Sequence, residues 1–110
     1  MISHLHLDHS GALSSLLEKR KNLPVYIPST SSDEFVQKVE GLGSSVVIAS
    51  QPLEIAKNVF LSGTLGEAIK EQSLILKIGK GLVIITGCAH PGIVEIVQKS
   101  AIYSQSRSLF

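Results

Sequence analysis

The sequence predicts a mixed α/β (α+β) fold in one small domain, and three observations carry that expectation. Short β-branched runs alternate with segments of helical period, a glycine-centred hairpin lies near the C-terminal end, and the length of 110 residues suits a single core.

The elements follow in chain order. Residues 1–3 read as the end of a strand that flows into a histidine-rich loop. GALSSLLEKRKN (residues 11–22) has helical spacing at Leu13, Leu16 and Leu17 and stops at Asn22 and Pro24. PVYIPS (24–29) is β-branched and bracketed by prolines, as a short strand would be. In STSSDEFVQKVEGLG (29–43), Ser31 and Glu34 have capping-box spacing, while Phe35, Val36 and Val39 form an apolar face. Gly41 or Gly43 ends that helix. SVVIAS (45–50) reads as a buried strand and NVFLSG (58–63) as another.

SLILKIGKGLVIITG (73–87) reads as two strands joined around Gly79-Lys80-Gly81. No helix follows those glycines at once, which argues against a phosphate cradle. GCAHPGIVEIVQKSAIYSQ (87–105) turns into a helix. Pro91 is expected in its first turn and Ile93, Val94, Ile96, Val97 and Ala101 along its buried stripe.

Composition narrows the function. A formal net charge of +1 offers no field to attract nucleic acid or an acidic membrane. The basic run Lys19-Arg20-Lys21 falls at a helix end, where it complements the dipole. Cys88 is the sole cysteine, so no intrachain disulfide can form, and a reducing compartment suits the chain. With no secretory pattern and no membrane-length apolar run, the expectation is a soluble cytoplasmic protein with no nucleic-acid or membrane partner.

HLHLDH (4–9) sets three of the four histidines and an aspartate within six residues. A helix would put His4 and His6 on nearly opposite faces. A straight strand would hold residues two apart at roughly 6–7 Å, too far for ligands that bind zinc at about 2.0–2.2 Å. A bent loop after a strand meets the requirement. It turns His4 and His6 toward one centre and Asp8 and His9 toward a neighbouring one, with Gly11 as the exit. The bland alternative is a polar surface loop that binds nothing; crowding so many ligand-type side chains together argues against it.

The remaining histidine, His90, lies in TGCAHPG at the end of what reads as a central strand. Alone it would be a turn or cap residue; beside a cluster short of ligands it becomes a candidate ligand. Cys88 reads either as a small core residue or as a thiolate ligand of a second metal.

SHLHLDHSGAL (3–13) resembles the H-x-H-x-D-H signature of the metallo-β-lactamase superfamily, and LVIITGCAHPGIVEI (82–96) resembles a second signature of one branch. That branch comprises the 7,8-dihydropterin-6-methyl-4-(β-D-ribofuranosyl)aminobenzene-5′-phosphate synthase-like proteins. The resemblance implies an αββα sandwich with one or two zinc ions, or iron or manganese, at one edge of its sheets. Carried over, His4 and His6 bind the first metal and His90 completes it, while Asp8 and His9 bind the second. Cys88 matches a bridging position equally well, which leaves the role of His90 open. Asp8 would orient a metal-activated water for attack on a small-molecule substrate.

The superfamily domain is about twice this long, so residues 1–110 would be one partial domain without the N-terminal half-sheet and the C-terminal section. The second metal then lacks a histidine, so one metal, or a second site completed by another chain, is expected. An open sheet edge would drive homo-oligomer formation. The leading expectation is a metal-dependent hydrolase or pterin-pathway synthase-like enzyme. The alternative is a truncated or split-gene remnant that binds metal or oligomerises without turnover.

Overall fold

In a computed structural model of the chain, the residues described are 1–4, 11–29, 32–67 and 69–106, with side chains as far as residue 102. Among them are three helices and six strands in two sheets, a mixed α+β arrangement as expected. The first half is built from α1 (Leu13–Lys19), β1 (Pro24–Ile27), α2 (Asp33–Gly41) and β2 (Ser45–Ile48). The second half comprises β3 (Leu53–Ala56), β4 (Val59–Leu61), β5 (Leu74–Ile78), β6 (Gly81–Ile85) and α3 (Ile93–Ser106).

β1 and β2 pair in parallel, Val25 opposite Val46, with α2 as the crossover between them. Their core holds Ile2, Leu17, Val25, Ile27 and Val39, and Phe35, Val36 and Leu42 pack against it. α1 has seven residues, too few to stand alone in water. Full burial of Leu17, worth about 2 kcal/mol, helps hold it in place.

The cap of α2 lies one residue beyond the expected Ser31, which is outside the described residues. Ser32 Oγ accepts the Phe35 N–H at 3.2 Å, and Asp33 and Glu34 sit in the first turn, where the helix dipole favours negative charge. Gly43, at φ +87°, closes the other end, its N–H donating to Glu40 O at 3.0 Å. Part of the basic run serves this end rather than its own helix: Lys21 Nζ donates to Leu42 O at 3.2 Å. β2 is less buried than expected, with Ile48 largely exposed, because its two-stranded sheet leaves it at an edge.

The second sheet is an antiparallel meander in the order β3-β4-β5-β6. The hairpin at Gly79-Lys80 forms as expected, with Ile78 paired to Gly81. β3 was not expected. LEIA lacks a strong β signal, yet Asn58 at φ +62° turns the chain so that β3 pairs back on β4. Nor is β6 central: it has β5 on one side and no strand on the other among the described residues.

Two more expectations change. Residues 1–3 are not a strand, although the Ile2 N–H donates to Tyr26 O at 2.9 Å. In α3, only Ile96 of the expected apolar stripe is buried. Ile93, Val94 and Val97 are exposed and Ala101 is half-buried, because the apolar arc is wider than the strip of helix that is covered. Pro91 precedes that helix, with Gly92 at φ +100° between them.

Buried polar groups stitch the halves together. Gln72, fully buried, donates through Nε2 to Ile2 O at 2.9 Å and Tyr26 O at 3.1 Å, and its N–H reaches Ser3 O at 2.9 Å. Thr64 does the same at the far ends of the strands. Its Oγ1 accepts the Ser29 N–H at 3.0 Å and donates to Ala49 O at 2.8 Å. No helix of the described residues is long and apolar enough to cross a membrane.

Candidate metal centre

Residues 1–4 run between β1 and the segment that leads into β5, so the Gln72 bonds deliver His4 to the junction of the halves. The residues after β6 come to the same place. Ala89 takes φ +58°, a backbone state that costs an L-residue about 1 kcal/mol, and the turn closes with the Gly92 N–H on Ala89 O at 2.9 Å. The reversal at Ala89 lets Cys88 and His90, two positions apart, reach one centre.

The ligand-type atoms of His4, Cys88 and His90 all lie within 4.8 Å of one another. The two imidazoles meet edge to face, with centroids 4.8 Å apart and planes at 79°. Ligands of a tetrahedral zinc at 2.0–2.3 Å stand roughly 3.3–3.8 Å apart, so adjustments of about an ångström would gather these three around one ion. Their chemistry fits as well, since imidazole nitrogen and thiolate sulfur are the zinc donors of choice. His4 is buried, whereas Cys88 and His90 are open to solvent.

The sequence-level expectation therefore divides. His4, Cys88 and His90 come together; His6, Asp8 and His9 lie outside the described residues. The thiol stands in the same group as His90, not in place of it.

One residue was missed. Glu71 is wholly buried, and its carboxylate gathers the turn. Oε2 accepts the Thr86 hydroxyl at 2.9 Å and the Ala89 N–H at 3.0 Å; Oε1 accepts the His90 N–H at 3.3 Å. Oε1 also stands 3.4 Å from His4 Nδ1, which is 2.9 Å from Ser3 Oγ. Glu71 itself is fixed by paired backbone bonds with Leu65, at 2.8 and 2.9 Å. In the sequence it opens the run EQSLIL, where a polar start to a strand usually signals solvent, and no local pattern distinguishes it.

A cavity of about 400 Å³ lined by Met1, Ile2, Leu13, Leu16, Leu17 and Val25 lies close by in sequence but includes none of the three candidate ligands. Its lining is mostly apolar, and the chemistry lies elsewhere.

No family model matches the chain. It is similar to a 7,8-dihydropterin-6-methyl-4-(beta-D-ribofuranosyl)-aminobenzene-5'-phosphate synthase of Methanocaldococcus jannaschii, with 24% identity over 144 residues and 91% of this chain covered. The chain spans about half the length of that curated relative, 49%. The alignment is longer than the chain, so the relative carries insertions within the shared region.

Proposed function

We propose that residues 1–110 form a partial metallo-β-lactamase-type domain, a portion of an αββα sandwich, and that its site holds one metal ion through His4, His90 and Cys88. Zinc is the first choice for that donor set, with iron or manganese as alternatives. In this reading three protein ligands hold the ion and the fourth position is left to water, His6 being the alternative to Cys88 as the third, and Asp8 and His9 are proposed for a second position. When bound, the ion supplies Lewis acidity and a water of lowered pKa. The chain's own contribution is to hold His4 in a buried, hydrogen-bonded setting and to present Cys88 and His90 from a fixed turn. Asp8 is the residue proposed to orient the attacking water.

The reaction class proposed is a metal-dependent hydrolase or a pterin-pathway synthase-like transformation, which the similarity to the Methanocaldococcus jannaschii synthase supports, and the compartment proposed is the cytoplasm. The observation that carries the reading is the convergence of His4 with Cys88 and His90 from opposite ends of the described chain. Elemental analysis of the purified chain tests it. About one equivalent of metal is expected, falling sharply in a His4→Ala/His90→Ala double variant. Less than about half an equivalent in the wild type, unchanged in the variant, refutes it.

We also propose that a second copy of the chain packs on the open side of β6 and the exposed Ile93, Val94 and Val97 of α3. The one-sided pairing of β6 beside an apolar helix face supports this. Sedimentation at micromolar concentration should show a dimer, and a monodisperse monomer would exclude it.

A further inference from the structure

We propose that Glu71 is a positioning residue of the metal centre: its carboxylate fixes His4 as the Nδ1–H tautomer while holding the 86–90 turn that carries Cys88 and His90. The inference rests on the reading that these three residues hold a metal, and it deepens that reading.

The argument starts from what a carboxylate can do. An ionised carboxyl group only accepts hydrogen bonds. Three donors of one turn, Thr86 Oγ1, Ala89 N and His90 N, already converge on the two oxygens of Glu71. Oε1 keeps a further direction toward His4 Nδ1, 3.4 Å away. A lone pair on Nδ1 would there face the lone pairs of a carboxylate, with both groups buried and no water to screen them. A proton on Nδ1 converts that repulsion into attraction. Ser3 Oγ, 2.9 Å from the same nitrogen, fits either tautomer because a hydroxyl both donates and accepts. Glu71 breaks the tie, and the Nε2 lone pair becomes the one that can coordinate.

The carboxylate does this from a rigid base. Its backbone is paired on both sides with Leu65, and the next residue, Gln72, binds the carbonyl of Ile2. Glu71 therefore connects the His4 segment to the His90 turn through one side chain. A carboxylate behind a ligating histidine is a recurrent device for setting tautomer and ring orientation, and its loss typically costs 10–100-fold in metal affinity.

Glu71→Gln gives a sharp test because the amide has one acceptor and one donor end. Its oxygen is better placed at the Oε2 position, where the shorter bonds from Thr86 and Ala89 arrive, which gives up the longer bond from the His90 N–H and leaves the NH₂ facing His4 Nδ1. That arrangement reverses the tautomer and puts the proton on Nε2. Long-range ¹H–¹⁵N NMR of the metal-free chain reads this directly, with His4 assigned by difference against His4→Gln. Co²⁺ titration reads the consequence, and Thr86→Val removes one donor while leaving the carboxylate in place.

The expected result is Nδ1–H at His4 in the wild type and in Thr86→Val. Glu71→Gln should show Nε2–H and Co²⁺ binding weakened by roughly 10–100-fold. A wild-type His4 protonated on Nε2 overturns the proposal, even if Glu71→Gln fails to fold. So does a folded Glu71→Gln chain that binds Co²⁺ as tightly as the wild type, an outcome that leaves the metal reading standing. A wild-type chain that takes up no Co²⁺ overturns the metal reading itself.

Discussion

The side-chain amide of Gln72 donates to the carbonyl of Ile2 at 2.9 Å, a bond spanning 70 positions of sequence. With its second bond, to Tyr26 O at 3.1 Å, it joins the parallel pair of strands to the antiparallel meander through a side chain with no exposure to solvent. Replacing Gln72 by Leu keeps the bulk but removes the donor to Ile2 O, at about 1–3 kcal/mol if that carbonyl is left unsatisfied, while Tyr26 O keeps the Ile2 N–H. Gln72→Leu should lose roughly 1–3 kcal/mol, read as a lower urea midpoint at unchanged slope. A loss below about 0.5 kcal/mol would mean that the halves are held by apolar contact alone.

Ala89 stands at φ +58° between the two candidate ligands of its turn. Glycine adopts that state without the Cβ penalty, although it loses more entropy on folding. Ala89→Gly should therefore raise stability by about 0.5–1 kcal/mol, measured by urea unfolding of the metal-free chain. A bulky β-branched residue there should do the reverse, and Ala89→Val is expected to fall by more than about 1 kcal/mol.

Cys88 supplies the one sulfur in the candidate centre. Bound to Co²⁺, the wild-type chain should show an intense near-ultraviolet thiolate-to-metal band beside the weaker visible bands of the ion. Cys88→Ser should lose the first and keep the second, since two imidazoles remain. If the near-ultraviolet band is missing from a wild type that binds Co²⁺, the thiol is a bystander.

Metal binding should also stabilise the fold by mass action, because the ligands come together only in the folded chain. At free zinc one hundred times the dissociation constant, the gain is about 2.7 kcal/mol. Differential scanning calorimetry should show the melting temperature rise with zinc and return on chelation. His90→Ala should flatten that response without changing the metal-free melting temperature by more than a few degrees.

Local pattern carried the parts of this structure that depend on neighbours in sequence. The hairpin at Gly79-Lys80 is written in two apolar runs and a glycine pair. The helix Asp33–Gly41, closed off at Gly43, is written in its capping residues, although the cap itself is Ser32 and not Ser31. His90 could be singled out because TGCAHPG joins a strand end to a turn. Glu71 and Gln72 could not. Their side-chain partners lie at residues 2, 4, 26, 86, 89 and 90, so no periodicity marks them, and a charged residue before a strand normally faces water. The same holds for α3, whose apolar arc is visible in the sequence while the width actually covered is set by the sheet beside it.

The stitch between Ile2 and Gln72 also orders events during synthesis. A ribosome adding roughly 5–20 residues per second produces His4 several seconds before Glu71 and the turn at Ala89 exist. Through that interval the nascent His4 has neither Glu71 nor Cys88 beside it, so the grouping of His4 with Cys88 and His90 closes only once residue 90 has been made.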